Sequence, residues 1–331
     1  MRAIQVAAFG PLESHGPAEL PDPVPGAGEV LVEVACCDVN FPDVLVVEGR
    51  YQVKPPLPFV PGKAAAGTIA ALGPGVAEGR LGERVLVLVE YGAFAEKLAA
   101  PAALALPIPD GISFETAAAI GLVGQTAWFA LTDRAGFEPG ERVLVLGASG
   151  GVGMATVQLA KAMGAGQVLA GARGTEKLAL AGSFGADATL DLAAENLAES
   201  LRSQVKAATG GAGVDIVIDP VGGEATQAAL RCLAWRGRLV VIGFAAGGIP
   251  AIRANYLLVK NIAVSGLQWS DYRDRRPDWM ARAQTEIFAQ VLAGRLQPHI
   301  SAVLPLAEAG KAMAQLRDGK AAGKVLLRTG E

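Results

Sequence analysis

A strand, a glycine-rich turn and a helix follow one another between Gly140 and Gly164, and no other stretch constrains the fold as strongly. Residues 143–146 are apolar and partly β-branched, which is typical of a strand buried on both faces. Residues 148–153 then read Ala-Ser-Gly-Gly-Val-Gly, and apolar residues recur after them at helical spacing. Glycines allow a tight turn and a close approach of the backbone to a pyrophosphate, and a helix N-terminus offers it free N–H groups. Paired glycines also occur in ordinary loops, but their place between a strand and a helix predicts a dinucleotide-binding site.

Strand and helix patterns continue to alternate through the middle of the chain. A helix pattern covers 175–184, and an apolar strand ends at Asp219 just before Pro220. Such alternation predicts right-handed crossovers and a doubly wound parallel sheet, an α/β fold that binds a dinucleotide across the carboxyl ends of its strands. The strands predicted after the first are 168–172, 188–190, 214–219, 238–243 and 262–266.

Residues 1–122 have a different pattern, in which Pro and Gly separate short strand-like runs. Runs of this kind are typical of a small, partly open β-barrel. Ser113 is placed to cap a helix, with Thr116 at its third position, and we expect this helix to lead into the next domain. The predicted strands of this region are 3–8, 29–34, 67–72, 84–89 and 94–99.

The C-terminal residues return to a strand, helix and strand pattern over 300–328. We expect this segment to rejoin the N-terminal barrel, so that the dinucleotide-binding domain is an insertion. The sequence therefore predicts a catalytic domain of residues 1–122, completed by 268–331, and a dinucleotide-binding domain of residues 123–267.

Composition and charge exclude several classes of protein. The 331 residues suit two domains, and a net charge of −3 gives no electrostatic basis for binding nucleic acid or an anionic membrane. No apolar run reaches the length of a membrane span, and the N-terminus lacks the apolar core of a signal peptide. The three cysteines form no disulfide framework. We expect a cytoplasmic protein in which Cys36 and Cys37 are buried as small apolar residues.

The glycine turn is part of a longer motif that runs from Leu144 through 148–151 and Gly153 to Gln158 and Lys161. Further blocks of interest are 39–43, 49–51, 57–62, 219–223, 243–244 and 322–325. Together and in this order they resemble the quinone oxidoreductase and zeta-crystallin family, in the zinc-free branch of the medium-chain dehydrogenases/reductases. The resemblance covers nearly the whole chain.

The resemblance implies a GroES-like catalytic domain and a Rossmann domain, with NADPH as the cofactor. It also implies reduction of quinones, or of alkenes conjugated to a carbonyl, and often a homodimer formed by pairing of sheet edges near residues 261–266. The matched positions that are candidates for cofactor binding are Ser149, Gly150, Gly151, Val152, Gly153, Val221, Gly243, Phe244 and Lys324.

Zinc-dependent relatives in this superfamily carry a cysteine where Asn40 stands and a histidine where Lys63 stands. The chain contains only His15 and His299, and a catalytic zinc needs three or four converging ligands, so we predict no metal. Asn40 is then a candidate hydrogen-bond donor to the quinone or enone oxygen on which charge grows during hydride addition. The alternative is an asparagine that only shapes a turn before Phe-Pro.

Two further candidate residues keep two interpretations each. Tyr51 either lines the substrate cleft or caps a loop with its phenol pointing outward. Thr126 either contacts the nicotinamide ribose or the substrate, or is a threonine at the start of a helix. The sequence also departs from the family pattern twice, since Ala64 replaces a glutamate and Leu192 replaces a tyrosine near the adenosine phosphate. No residue is an obvious general acid, and we expect water to supply the proton.

The end of the second predicted strand favours NADPH over NADH. An NAD-preferring domain places Asp or Glu there to bind the ribose 2′-hydroxyl, but this strand ends at Ala172 and Arg173 without an acid. Arg173 and Lys177 are therefore candidates for binding the 2′-phosphate. Alternatively, both are ordinary surface cations that pair with Glu176.

The leading prediction is an NADPH-dependent oxidoreductase that reduces quinones or related small α,β-unsaturated carbonyl compounds. The alternatives are a reductase of enoyl thioesters or α,β-unsaturated acids, and a protein that binds NADPH without turnover. A coenzyme A thioester would require a basic patch for its phosphates. The local candidates are Arg273, Arg275 and Arg276. They alternate with Asp271 and Asp274, which favours a solvated, salt-bridged surface instead.

Overall fold

The computed structural model describes residues 1–330, which form two units. The first unit contains residues 1–122, 270–292 and 298 onward, and the second contains residues 123–269 and 293–297. Glu331, the last residue of the predicted C-terminal return, lies outside the described residues. Among residues 1–330, no helix combines the length and the apolar character needed to cross a lipid bilayer.

Strands and helices are distributed along the chain as follows. In chain order the strands are β1 (Arg2–Ile4), β2 (Pro17–Glu19), β3 (Glu29–Val39), β4 (Ala64–Leu72), β5 (Arg84–Leu88), β6 (Lys97–Pro101), β7 (Ala105–Pro107), β8 (Arg142–Leu146), β9 (Gln167–Ala172), β10 (Ala188–Asp191), β11 (Val214–Asp219), β12 (Leu233–Val241), β13 (Ala263–Gly266), β14 (Ile300–Pro305) and β15 (Lys324–Arg328). The helices are α1 (Phe41–Val47), α2 (Phe114–Phe129), α3 (Gly151–Ala162), α4 (Thr175–Ser183), α5 (Leu197–Ala208), α6 (Gly223–Leu230), α7 (Ala254–Lys260), α8 (Trp269–Arg275), α9 (Pro277–Leu292) and α10 (Ala309–Arg317).

The first unit is built on a seven-stranded sheet in the order β14-β15-β3-β4-β5-β7, with β6 also paired to β3. All of these pairs are antiparallel except β14 with β15, which is parallel. One edge of β3 is shared, because its first residues pair with β6 and its last residues pair with β15. Irregular register between β3 and β4 allows the long strand to bend between these two partners. The predicted β-rich first domain is confirmed.

Strand β3 extends five residues beyond its predicted end at Val34. The additional residues include Asp38, a charged residue whose side chain is fully buried. Its position in a strand depends on pairing with β15, where Leu326 lies opposite Asp38. The sequence could not indicate this pairing, because its two strands lie near opposite ends of the chain.

The second unit contains a parallel six-stranded sheet in the order β10-β9-β8-β11-β12-β13. The first strand of this sheet in the chain, β8, lies in the middle. Later strands are added first on one side of β8 (β9, β10) and then on the other (β11, β12, β13), as in the doubly wound dinucleotide-binding fold. Residues 143–146 of β8 are completely buried, which agrees with helices covering both faces of the sheet. The predicted parallel α/β domain is confirmed. Ligands of such sheets bind at the carboxyl ends of the strands, near the reversal between β8 and β11.

Helix α2 begins as predicted, with the Ser113 hydroxyl accepting the Thr116 N–H at 3.1 Å. The helix then continues to Phe129, so Thr126 lies in its last turn and not at the start of a separate helix. Glycine often interrupts a helix, but at Gly121 it serves close packing. A Cβ there would lie only 2.7 Å from a Leu86 side-chain carbon.

Candidate active site

The glycine turn joins β8 to α3 with backbone packed directly on backbone. Gly147 has a φ of +61°, and a Cβ on Gly153 would lie 2.3 Å from the Gly147 oxygen and 2.6 Å from the Ala148 Cα. The first α-helical hydrogen bond of α3 comes from the Met154 N–H, which donates to the Gly150 oxygen. The N–H groups at 151–153 therefore precede the helical ladder, as a phosphate-binding helix N-terminus requires. This arrangement fits the pyrophosphate of a dinucleotide.

A buried carboxylate that sequence reasoning missed, Asp219, organises the loop after β11. Its Oδ1 accepts the N–H groups of Val221 at 2.8 Å and Gly222 at 2.9 Å, and its Oδ2 accepts the Thr226 hydroxyl. The signal in the sequence was an acid at a strand end followed by Pro-Val-Gly-Gly. Because three donors hold this carboxylate, its role is to shape the loop that carries Val221.

The loops after β8, β11 and β12 meet at one edge of the second unit. The Val221 side chain lies so close to Gly147 that a Cβ on the glycine would be 2.9 Å from it. The Ala246 N–H donates to the Val221 oxygen at 2.9 Å, which ties the loop after β12 to the loop after β11. The structure thus brings the predicted cofactor positions Val221, Gly243 and Phe244 to the edge that carries the glycine turn.

The end of β9 carries the two predicted phosphate-binding cations. Arg173 is exposed directly after the strand, and Lys177 lies in the first turn of α4. Leu192, which replaces the family's tyrosine, is buried, and its side chain packs beside Gly171. Leu192 is therefore part of the apolar core, and the charged groups at this position are Arg173, Lys177 and, in the first turn of α4, Glu176.

Asn40 lies at the N-terminus of α1 in the first unit, held between two charged side chains. The Lys324 ammonium donates to Asn40 Oδ1 at 2.7 Å, and Asn40 Nδ2 donates to Asp38 Oδ1 at 2.8 Å. Lys324 Nζ also lies 2.9 Å from Asp38 Oδ2 and 3.2 Å from the Val39 oxygen. These contacts join the Lys324 ammonium to Asn40 and Asp38. The role of Lys324 in cofactor binding stays a prediction.

Asp43 is fully buried in the first turn of α1, where its Oδ2 accepts the Asn40 backbone N–H at 2.8 Å. Burial raises the pKa of Asp43 to about 7, and the nearby Lys63 ammonium only partly opposes this shift. Burial likewise raises the pKa of Asp38, against the attraction of Lys324. The carboxyl groups around Asn40 therefore hold their protons more strongly than exposed acids do.

Glu90, which sequence analysis also missed, joins a second buried group of charges in the first unit. Its carboxylate accepts hydrogen bonds from Lys63, from the Ser270 hydroxyl at 2.7 Å and from Arg273 at 2.6 Å. Burial by itself would raise the pKa of Glu90, but these donors lower it below its usual range. The Lys63 ammonium also lies 4.9 Å from the centre of the Tyr51 ring, which packs against the core of this unit.

The expectation that Arg273 belongs to a solvated surface is wrong. Its side chain is buried on Glu90, which lies 183 residues away in the sequence. Arg275 forms an exposed ion pair with Asp271, as expected, whereas Arg276 pairs with Asp278. The expected partner Asp274 instead pairs with the buried Arg273. The difference arises because Glu90, two residues after the end of β5, offers Arg273 a carboxylate that no local pattern reveals.

Four further predicted residues are buried. Thr126 and Ser149, both in the second unit, are less than one-tenth exposed, and Cys36 and Cys37 are buried as predicted. Burial raises the pKa of the Cys36 thiol to about 12, so this sulfur is a poor metal ligand at neutral pH. Within residues 1–330, no three His, Cys, Asp or Glu side chains are grouped so that they could hold a metal ion.

Comparison with known proteins places this architecture in a family. A family model described as an alcohol dehydrogenase GroES-like domain matches residues 26–110, and one described as a zinc-binding dehydrogenase matches residues 151–285. The chain is 37% identical over 306 residues to the quinone oxidoreductase-like protein 2 homolog of Nematostella vectensis, covering 92% of this chain and 82% of that protein. The chain belongs to the quinone oxidoreductase family of the medium-chain dehydrogenases/reductases.

Solved structures of similar proteins include two NADPH complexes. A mycobacterial protein complexed with NADPH superposes with a TM-score of 0.92 at 32% identity, covering 99% of this chain and 100% of that one. The quinone oxidoreductase of Escherichia coli complexed with NADPH gives a TM-score of 0.91 at 29% identity, with 99% and 100% covered. The resemblance to this oxidoreductase family and its two-domain fold are thereby confirmed.

Proposed function

We propose that this oxidoreductase uses NADPH to reduce quinones or related α,β-unsaturated carbonyl compounds without a metal. The observation that carries the proposal is the turn at Gly153, where the absence of a side chain lets the start of α3 close on β8. Two similar proteins of known structure hold NADPH. Bound NADPH supplies a hydride to the substrate.

The residues of the second unit bind and orient the cofactor. The N–H groups at 151–153 receive the pyrophosphate, with Ser149 beside them in the turn. Arg173 and Lys177 pair with the 2′-phosphate, since charge-assisted hydrogen bonds to phosphate are strong and no acid ends β9. Val221, Gly243 and Phe244 line the same edge of the sheet, and Thr126 contacts the nicotinamide ribose or the substrate.

Asn40 acts on the substrate. Its amide N–H donates to the carbonyl oxygen that becomes negative when hydride adds, and this interaction is stronger in the transition state than in the ground state. Tyr51 borders the substrate, with its ring against Lys63. Water supplies the proton that completes the reduction.

The test is a panel of substrates with NADPH oxidation followed by absorbance, in which quinones, enals and enoyl thioesters are compared side by side. We expect quinones or enones to be preferred over thioesters, because the burial of Arg273 on Glu90 removes one of the three candidate cations for a coenzyme A phosphate. A preference of about a hundredfold in kcat/KM corresponds to roughly 2.7 kcal/mol of transition-state binding. If no compound raises the rate above background, the protein is an NADPH-binding protein without turnover.

We also propose that the protein is cytoplasmic and that its three cysteines stay reduced. We further propose that two chains form a homodimer through β13. Strand β13 is the last strand of its sheet, and its unpaired edge is a template for another strand. Leu258 and Val259, on the helix just before it, are 78% and 75% exposed, and Trp235 is 72% exposed. Clustered exposed apolar side chains beside an open edge favour association of a second copy.

A further inference from the structure

The function proposed for Asn40 depends on which end of its amide faces the substrate. The amide carries two N–H donors at Nδ2 and an acceptor at Oδ1. Only the nitrogen end stabilises a negative oxygen, and a half-turn of the amide would present a repelling oxygen in its place. The protein must therefore fix the orientation of this side chain.

Lys324 fixes it. An ammonium group has three donors and no acceptor, so only Oδ1 of Asn40 can face Lys324 Nζ at 2.7 Å. Nδ2 is consequently directed to Asp38 Oδ1, at 2.8 Å. This assignment does not depend on the charge of Asp38, because a carboxyl oxygen accepts a hydrogen bond in either protonation state.

Strand pairing brings these three residues together across the whole length of the chain. Strand β15 begins at Lys324 and runs antiparallel to the end of β3, with Val325 opposite Val39 and Leu326 opposite Asp38. Lys324 and Asn40 are separated by 284 residues in the sequence. Their side chains are 3% and 5% exposed, and Asp38 is fully buried, so solvent does not weaken the contacts.

We propose that Lys324, together with Asp38, is a positioning residue that holds the Asn40 amide with its nitrogen end available to the substrate oxygen. The inference rests on the proposed function. One N–H of Nδ2 is used on Asp38, and the second N–H of the same nitrogen is the one that would donate to the substrate oxygen. The positively charged Lys324 ammonium, in contact with Oδ1, also polarises the amide. This polarisation makes the second N–H a stronger donor.

The test removes both charges at once, because loss of Lys324 alone would leave a buried carboxylate without a partner. In the double variant Lys324→Met with Asp38→Asn, we expect kcat to fall by about tenfold or more, on the scale of losing an oxyanion donor. The KM for NADPH should stay unchanged. The matched control is Lys320→Met with Asp318→Asn, an exposed ion pair in the same C-terminal segment, which should leave kcat unchanged.

The same double variant is then made in an Asn40→Ala background. If Lys324 and Asp38 act through Asn40, they should lower kcat by less than about twofold there, because the interaction they support is already lost. An equal fold-loss in both backgrounds would mean that they only maintain the structure, and the inference would fall. If Asn40→Ala itself leaves kcat unchanged, the proposed role of Asn40 fails instead, which separates the two claims.

A second variant and a spectroscopic readout cover the case in which the double variant does not fold. Lys324→Gln places an amide at 324 that either donates or accepts, so it no longer dictates the orientation of Asn40. We expect a comparable loss of kcat and a shift of the Asn40 side-chain amide resonances in NMR, assigned by their disappearance in Asn40→Ala. Unmoved resonances together with an unchanged kcat would overturn the inference.

Discussion

Gly153 occupies a position at which even a methyl group has no room. A Cβ would lie 2.3 Å from the Gly147 oxygen, and backbone atoms cannot move aside as a flexible side chain can. We expect Gly153→Ala to lower the free energy of unfolding by about 1–3 kcal/mol, as overpacking does. It should also weaken NADPH binding at least about tenfold, because the turn and the helix N-terminus are pushed apart.

Calorimetric titration with NADPH and urea unfolding measure both effects. The control is Gly182→Ala in α4, where the new methyl would meet only Thr189 at an ordinary 3.4 Å. That change should be neutral or stabilising by up to about 1 kcal/mol, since alanine is the better helix former. Equal behaviour of the two variants would contradict the packing argument.

Asp43 should make the stability of the protein depend on pH, with a sign that follows from the burial of its carboxyl group. Burial raises its pKa from 3.8 to about 7, so the native state binds a proton more tightly than the unfolded state does. The stability that Asp43 contributes should therefore be complete below about pH 4 and be lost as the pH rises to about 7. We expect Asp43→Asn to flatten this part of the stability profile.

Urea unfolding of both proteins across that pH range provides the measurement. The difference in unfolding free energy between Asp43→Asn and the unchanged protein should increase as the pH rises toward about 7 and then level off. A constant difference would show that Lys63 keeps Asp43 ionised in the native state throughout.

At the scale of single elements, we predict that the turn from β9 into α4 decides which cofactor is used. We expect Arg173→Ala with Lys177→Ala to raise the KM for NADPH by at least about tenfold, since charge-assisted hydrogen bonds contribute about 1.5–3 kcal/mol each. The KM for NADH, which has no 2′-phosphate, should change little.

Steady-state kinetics with both cofactors test this prediction. Lys206→Ala, an exposed cation in the last turn of α5, serves as the control and should affect neither KM. If the unmutated protein uses NADH and NADPH equally, or if the double variant loses both alike, these two cations do not recognise the phosphate.

The whole molecule is expected to be a dimer with β13 at its interface. Charges placed on the exposed apolar residues beside that edge would have to be buried unpaired on association. Leu258→Glu with Val259→Glu should therefore produce monomers in sedimentation velocity. The control, Leu81→Glu, replaces an exposed leucine of the first unit and should leave a dimer. A monomer before any mutation would rule the interface out.

A second prediction for the whole molecule is that its activity needs no metal. Activity should survive exhaustive chelation, and the purified protein should contain far less than one equivalent of zinc, because residues 1–330 offer no converging ligand set. Stoichiometric zinc, with activity lost on its removal, would contradict this expectation.

The sequence by itself determined the features that depend on short-range patterns. The alternation of strands and helices after Gly140 specified the parallel sheet, and the glycine turn specified its binding edge, because side-chain periodicity and backbone freedom are local properties. The capping of α2 by Ser113 and the burial of Cys36 and Cys37 were recognisable for the same reason.

Only the tertiary structure decided how buried charges are paired. The Lys324 ammonium contacts Asn40, which lies near the other end of the chain. Arg273 was expected in solvent, yet it is buried on Glu90. The burial of a charge is favourable only beside a partner. In this fold the partners come from strands and helices that are far apart in sequence. The strand pairing that brings them together, such as that of β15 with β3, cannot be recognised from a local sequence pattern.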